Sequence, residues 1–240
     1  MTAPAPRRWM LSADLGQASD PTAIGLLERM PTGDVARSIE RPDLGTPYPD
    51  IARRIGAIVR NPALAEGVDV LLDATGVGRP VVDIVREELR GVEGARLVAI
   101  IIGSGIAATQ SATTGYWTVP KRVLVGAMQV ALQTARLRVP RALPLAETLV
   151  KEMRSFKLKV SAETGHQSFE AWRSGDHDDL VLMAAQACWW SSRLIRPSSA
   201  DPRDAETKAA AEMKAAAFRR VREAKKREEE RMRVAPWRRR

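Results

Sequence analysis

Four aspartates carry the residue types and positions that most directly suggest chemistry. Asp14 closes the apolar run RWMLSAD, Asp73 closes VDVLLD, and Asp178 and Asp179 open the apolar segment DDLVLMAAQACWW. Carboxylates at the ends of adjacent strands converge on one edge of a sheet, and another from a helix N-terminus would complete a cup of hard oxygen ligands. Two magnesium or manganese ions need such a cup for phosphodiester hydrolysis. One ion activates water, the other stabilises the leaving oxygen, and both screen charge building on phosphorus. Each aspartate alone has a plainer reading, because strand-end aspartates are common turn residues and helix-start aspartates cap free N–H groups. Their joint occurrence, with three strands before the first helix, favours the cup.

The surrounding pattern supplies elements that can position these acids. RWMLSADLG, Thr22–Arg29 and Asp34–Glu40 read as three strands with short turns, an antiparallel meander. Pro47 and Pro49 introduce a helix with Ile51, Ile55, Ile58 and Val59 at helical spacing. Val68–Asp73 and Arg96–Ile102 are short, nearly continuous apolar runs, as expected of strands buried on both faces. The helical pattern between them, beginning near Arg79-Pro80, implies a parallel βαβ unit. VPKRVLVGAMQVALQTARLRVP and LAETLVKEMRSF predict two more helices. FKLKVSAETGHQSFEAW predicts a hairpin with Glu163-Thr164-Gly165 at its tip, and HDDLVLMAAQACWWSSRL a final apolar helix. The expected fold class is α/β, with a mixed central sheet of meander plus parallel strands flanked by helices.

Composition narrows the function classes. The 240 residues are 45% hydrophobic, enough for one substantial core, which we place over residues 1–196. Residues 197–203 read as a Ser/Pro-enriched linker and residues 204–240 as a charged, partly helical or disordered tail. That tail holds 13 Lys and Arg against 7 Asp and Glu, so it supplies most of the net charge of +9. A basic chain suits a polyanionic partner. Two histidines and one cysteine, Cys188, are too few for a structural zinc site and leave any metal to carboxylates. The lone cysteine fits a reducing cytoplasm, and the longest apolar run, Leu97–Ile102, is far short of a membrane span.

SADLGQASDPTAIGLLER, VDVLLDATGVGRPVVDIV and GDHDDLVLMAAQACWW resemble, in order and spacing, three motifs of phage terminase large-subunit nuclease domains. FKLKVSAETGHQSFEAW resembles the hairpin region preceding the last motif, so the resemblance spans roughly residues 8–192. It implies an RNase H-like fold related to RuvC resolvases and metal-dependent cleavage of double-stranded DNA during viral packaging. It places metal ligands at Asp14, Asp73 and Asp179, with the adjacent Asp178 sharing the role, and two magnesium or manganese ions among them. The alternatives are a structure-selective resolvase, or a non-catalytic DNA-binding or assembly module of the same fold. One departure is informative. The GxxxxGK[ST] loop of the family's ATPase motor does not occur, and Gly76-Val77-Gly78-Arg79 lacks its lysine and spacing. The expectation is a nuclease without its own motor and without a nucleotide cofactor: a split subunit served by a separate packaging ATPase or portal, a truncated relic, or a protein with another task. If phage-encoded, it would work in the host cytoplasm.

Other residues have two readings each. Asp20 either borders the cup or is only a turn residue before Pro21, the latter being favoured. Asp176 and His177 either support the acids or are loop residues. His166 is expected only to be exposed. Lys157 and Lys159 project from one face of a strand and either grip DNA phosphates or face solvent. Arg238, Arg239 and Arg240 end a tail that either tracks phosphates or is a solvated extension. Trp189 and Trp190 are expected in packing rather than base stacking.

Overall fold

The structure is a computed structural model and describes residues 8–16, 20–76, 78–160, 167–171 and 177–194. The meander is β1 (Arg8–Asp14), β2 (Ala23–Met30) and β3 (Gly33–Glu40). After α1 (Tyr48–Val59) come β4 (Val68–Asp73), α2 (Gly78–Glu88) and β5 (Ala95–Gly103). Two short strands, β6 (Thr109–Gln110) and β7 (Trp117–Pro120), precede α3 (Lys121–Gln133) and β8 (Leu137–Arg138). The chain then forms α4 (Ala146–Ser155), the hairpin strands β9 (Phe156–Val160) and β10 (Gln167–Ala171), and α5 (Asp179–Leu194).

The main sheet runs β6-β7-β5-β4-β1-β2-β3-β8, and β9 with β10 forms a separate two-stranded sheet. The β1–β2 and β2–β3 pairs are antiparallel, whereas β1–β4, β4–β5, β5–β7 and β3–β8 are parallel. This is the expected mixed sheet. β1, β3, β4, β5 and β7 therefore all end at one edge, where Asp14 and Asp73 close β1 and β4 and where Arg41 and Lys121 follow β3 and β7. The strand β6 had no counterpart in the sequence reading, and the end of β7 and all of β8 fall inside the segment 119–140 that was expected to be helical throughout. Each has two to four residues, too few for alternation to show.

Strand alternation sorts the core into two layers. Trp9, Leu11, Ala13, Val70 and Leu72 pack against α1 and α2 through Ile51, Ile55, Val82 and Val85. Met10, Leu71, Val98 and Ile100 face the opposite layer, which includes Leu124, Leu149 and the α5 residues Leu180, Met183 and Ala187. Helix α5 is buried on nearly every side, from Asp179 through Ser191, which explains its predominantly apolar sequence. It lies so close to β2 that a Cβ on Gly25 would collide with the Met183 side chain. Ser12 Oγ donates to the Met183 carbonyl at 2.8 Å and ties α5 to β1.

Trp189 and Trp190 are buried, as expected, and lie edge-on to Trp117. Trp190 Nε1 donates to the buried Asp69 at 2.8 Å, and Arg96 binds the same carboxylate through Nε and Nη2 at 2.8 and 2.9 Å. Trp190→Phe keeps an aromatic ring but deletes this donor to a buried carboxylate and part of the indole's packing. The expected loss is about 1.5–3 kcal/mol of stability, read from denaturant midpoints at unchanged slope.

Candidate metal centre

Register explains why the first two acids meet. Ala13 pairs with Leu72 across the parallel β1–β4 ladder, so Asp14 and Asp73 follow at equivalent positions. Alternation turns both toward the α5 layer, on strands about 4.8 Å apart. Both are buried, at 8% and 7% exposure, and their carboxyls are close enough to act strongly on each other's protonation. The turn after β4 fixes Asp73: the Thr75 N–H donates to its Oδ1 at 2.7 Å, while Thr75 Oγ1 accepts from the Ile102 N–H at 2.7 Å.

The α5 acids approach from the facing layer, and each has a basic partner. Lys121, the first residue of α3, reaches Asp178 Oδ2 with Nζ at 2.8 Å. The same ammonium lies 5.3 Å from the centre of the Phe156 ring, which brings the base of the β9–β10 hairpin beside the acids. Arg41, immediately after β3, donates from Nε and Nη2 to both oxygens of Asp179 at 3.0 and 2.9 Å. Its Nη2 also meets Glu152 Oε1 at 2.5 Å, and Glu152 Oε2 accepts from the Leu180 N–H at 3.2 Å.

The site is thus strongly acidic. Asp14, Asp73, Asp178, Asp179 and Glu152 face two cations, Arg41 and Lys121. Burial pushes the Asp14 carboxyl well above the usual carboxylate range, and Asp73, Asp178 and Asp179 add repulsion. Asp73 is raised by burial, against the pull of Lys121 and its hydrogen bonds. Asp179 is raised by burial despite Arg41, and Glu152 is pushed up to about 7 mainly by burial. Among the described residues no three acids already form a ready ligand set. Asp14 and Asp73 touch, whereas Asp178 and Asp179 are taken up by Lys121 and Arg41.

Arg41, Lys121 and Glu152 were missed by the sequence reading. They lie 138, 57 and 28 residues from the α5 groups that they bind, and no local pattern marks such partners. Asp20 is exposed and lines an open cleft of about 470 Å³ with Gly16, Thr22, Tyr48 and Gly76. His177 is exposed beside Asp178. β9 carries Lys157 and Lys159 at alternate positions, but their side chains lie outside the description. Asp176, His166, the hairpin tip, the linker and the tail with Arg238, Arg239 and Arg240 also lie outside the described residues.

Solved structures resemble this arrangement. The large terminase nuclease of thermophilic phage G20c superposes with a TM-score of 0.56 at 19% identity, covering 78% of this chain and 89% of that one. The chain has the fold of a large terminase nuclease domain. The magnesium-bound structure of that G20c nuclease gives a TM-score of 0.53 at 21% identity, over 78% of this chain and 88% of the other. The nuclease domain of the Thermus phage P74-26 large terminase gives 0.52 at 20% identity, over 75% of this chain and 78% of that one. No protein-family model and no curated protein matches the sequence. The terminase nuclease likeness therefore rests on three-dimensional form, and it bears out the RNase H-like mixed sheet expected above. Among the described residues no helix is long and apolar enough to cross a membrane.

Proposed function

We propose that this protein is a metal-dependent endonuclease that cleaves double-stranded DNA in the service of viral DNA packaging. The observation that carries the reading is the buried Asp14–Asp73 carboxyl pair on adjacent parallel strands, facing Asp178 and Asp179, at the sheet edge of a terminase nuclease fold. Two touching, buried carboxyls are costly as structure. Their oxygens, with those of the α5 acids, fit magnesium or manganese. Asp14, Asp73 and Asp179 would hold the metal, and Asp178 would share the task. When bound, two such ions would supply an activated water and charge neutralisation at the scissile phosphate.

The chain's own residues do the remaining work. The Thr75 amide orients Asp73. The burial of Asp14 and Asp73 limits bulk water at the pair and strengthens its field. Lys121 stands at the rim, 26% exposed and paired with the partly exposed Asp178, where its ammonium would meet an incoming phosphate. Lys157 and Lys159, on the strand that starts at Phe156, would extend this grip along the backbone. A packaging ATPase would supply the motor function.

The purified chain, incubated with linear duplex and with four-way junctions in magnesium or manganese, is expected to cut the linear duplex without junction preference. Cleavage confined to junctions would make it a resolvase. DNA binding without cleavage in either metal would make it an assembly module.

A further inference from the structure

A buried charge triad borders the acid pair. Arg41 follows β3, Glu152 lies in α4, and Asp179 opens α5. The guanidinium grips both Asp179 oxygens with its fork, and its Nη2 is shared with Glu152. All three side chains are largely buried, at 20%, 9% and 6% exposure for Arg41, Glu152 and Asp179.

As a device for stability this triad is poor. Two desolvated carboxylates share one guanidinium, and such buried ionic clusters are often matched or surpassed by apolar packing. As a device for orientation it is good. Glu152 holds the Leu180 N–H while Arg41 holds the neighbouring Asp179 side chain. The first turn of α5 is thereby gripped through backbone and side chain at once. These contacts set where the Asp179 carboxylate stands relative to Asp14 and Asp73. A planar, bidentate fork fixes a carboxylate's plane, which a lysine's point charge cannot do.

We infer that Arg41, braced by Glu152, is a positioning residue that presents the Asp179 carboxylate for metal binding. The inference rests on the metal-centre reading above. Two physical effects oppose each other here. Arg41's positive charge by itself disfavours a cation nearby, whereas its fork favours one by preorganising a ligand. Arg41→Lys separates them, since it keeps the charge and removes the fork.

The test is calorimetric titration of manganese into the full chain as wild type, Arg41→Lys, Asp179→Asn and the double variant. Arg41→Lys is expected to lose roughly 10- to 100-fold in manganese affinity, the range for groups that orient metal ligands. In the Asp179→Asn background the same change should lose nothing further, because Arg41 acts through Asp179. A lowered melting temperature with unchanged manganese affinity would overturn the inference, leaving a structural triad. So would losses that multiply in the double variant. A wild-type chain that binds no manganese would instead refute the metal centre itself. If Arg41→Lys does not fold, Glu152→Gln takes its place in the cycle. It slackens the guanidinium from the far side and should give the same signature with a smaller loss.

Discussion

Asp73→Asn eliminates cleavage and, in metal-free buffer near neutral pH, raises the melting temperature. The first effect follows from the proposed role, because an amide is a neutral and weak ligand for a hard cation. The second follows from the electrostatics. Burial raises both Asp14 and Asp73, and the neighbouring acids add to the rise at Asp14. The folded state thus binds protons more tightly than the unfolded chain, and the contribution of these groups falls as pH rises above the ordinary carboxylate range. Near neutrality an asparagine keeps the shape and a hydrogen bond while deleting one of two repelling charges. A gain of about 1 kcal/mol would move the midpoint by about 2–4 °C in a chain of this size. Thermal scans from pH 4 to 8 check the sign: the wild type loses stability toward pH 8, and Asp73→Asn loses less. Glu152, pushed up to about 7, slopes the same way and should remain visible in the variant. A destabilised, unfolded Asp73→Asn would mean that the carboxylate belongs to the core.

Metal removal is the second large effect. Cleavage should cease in chelator and return with magnesium or manganese at roughly millimolar levels, as weak all-oxygen sites require. Metal should also stabilise the fold, by about 2.7 kcal/mol when the free ion exceeds Kd a hundredfold. Its effect should grow with pH, since protons compete for the same oxygens. ATP should not substitute for the metal or be hydrolysed, as the chain has no GxxxxGK[ST] loop. Cleavage that persists in chelator, or a melting temperature indifferent to metal, would count against the site.

What could be read in the sequence was local or periodic. Asp14 and Asp73 were legible because each ends a buried run, and the parallel register brings such ends together. Asp178 and Asp179 were legible as helix openers, and Trp189 and Trp190 as packing residues. The basic partners were not, because Arg41 and Lys121 stand in segments whose own patterns mark only a strand end and a helix start. Their roles arise when β3 and β7 end at the same edge as β1 and β4. The sequence reading made Asp179 the ligand and gave the adjacent Asp178 a share in the role, on the strength of the resemblance alone. The structure separates them: Asp179 is buried in a bidentate arginine grip, whereas Asp178 is partly exposed and paired with a lysine. That difference depends on which side of the α5 N-terminus each faces, and adjacency in sequence does not encode it.

The central claim is that Asp14, Asp73 and Asp179 hold the metal that cleaves DNA. The most direct measurement is anomalous diffraction from crystals of the full chain soaked in manganese. Strong peaks bounded by the Asp14 and Asp73 carboxylates, with Asp179 completing the ligand set, are the predicted result. Manganese bound elsewhere, with no metal between the Asp14 and Asp73 carboxylates at saturating metal, would contradict it.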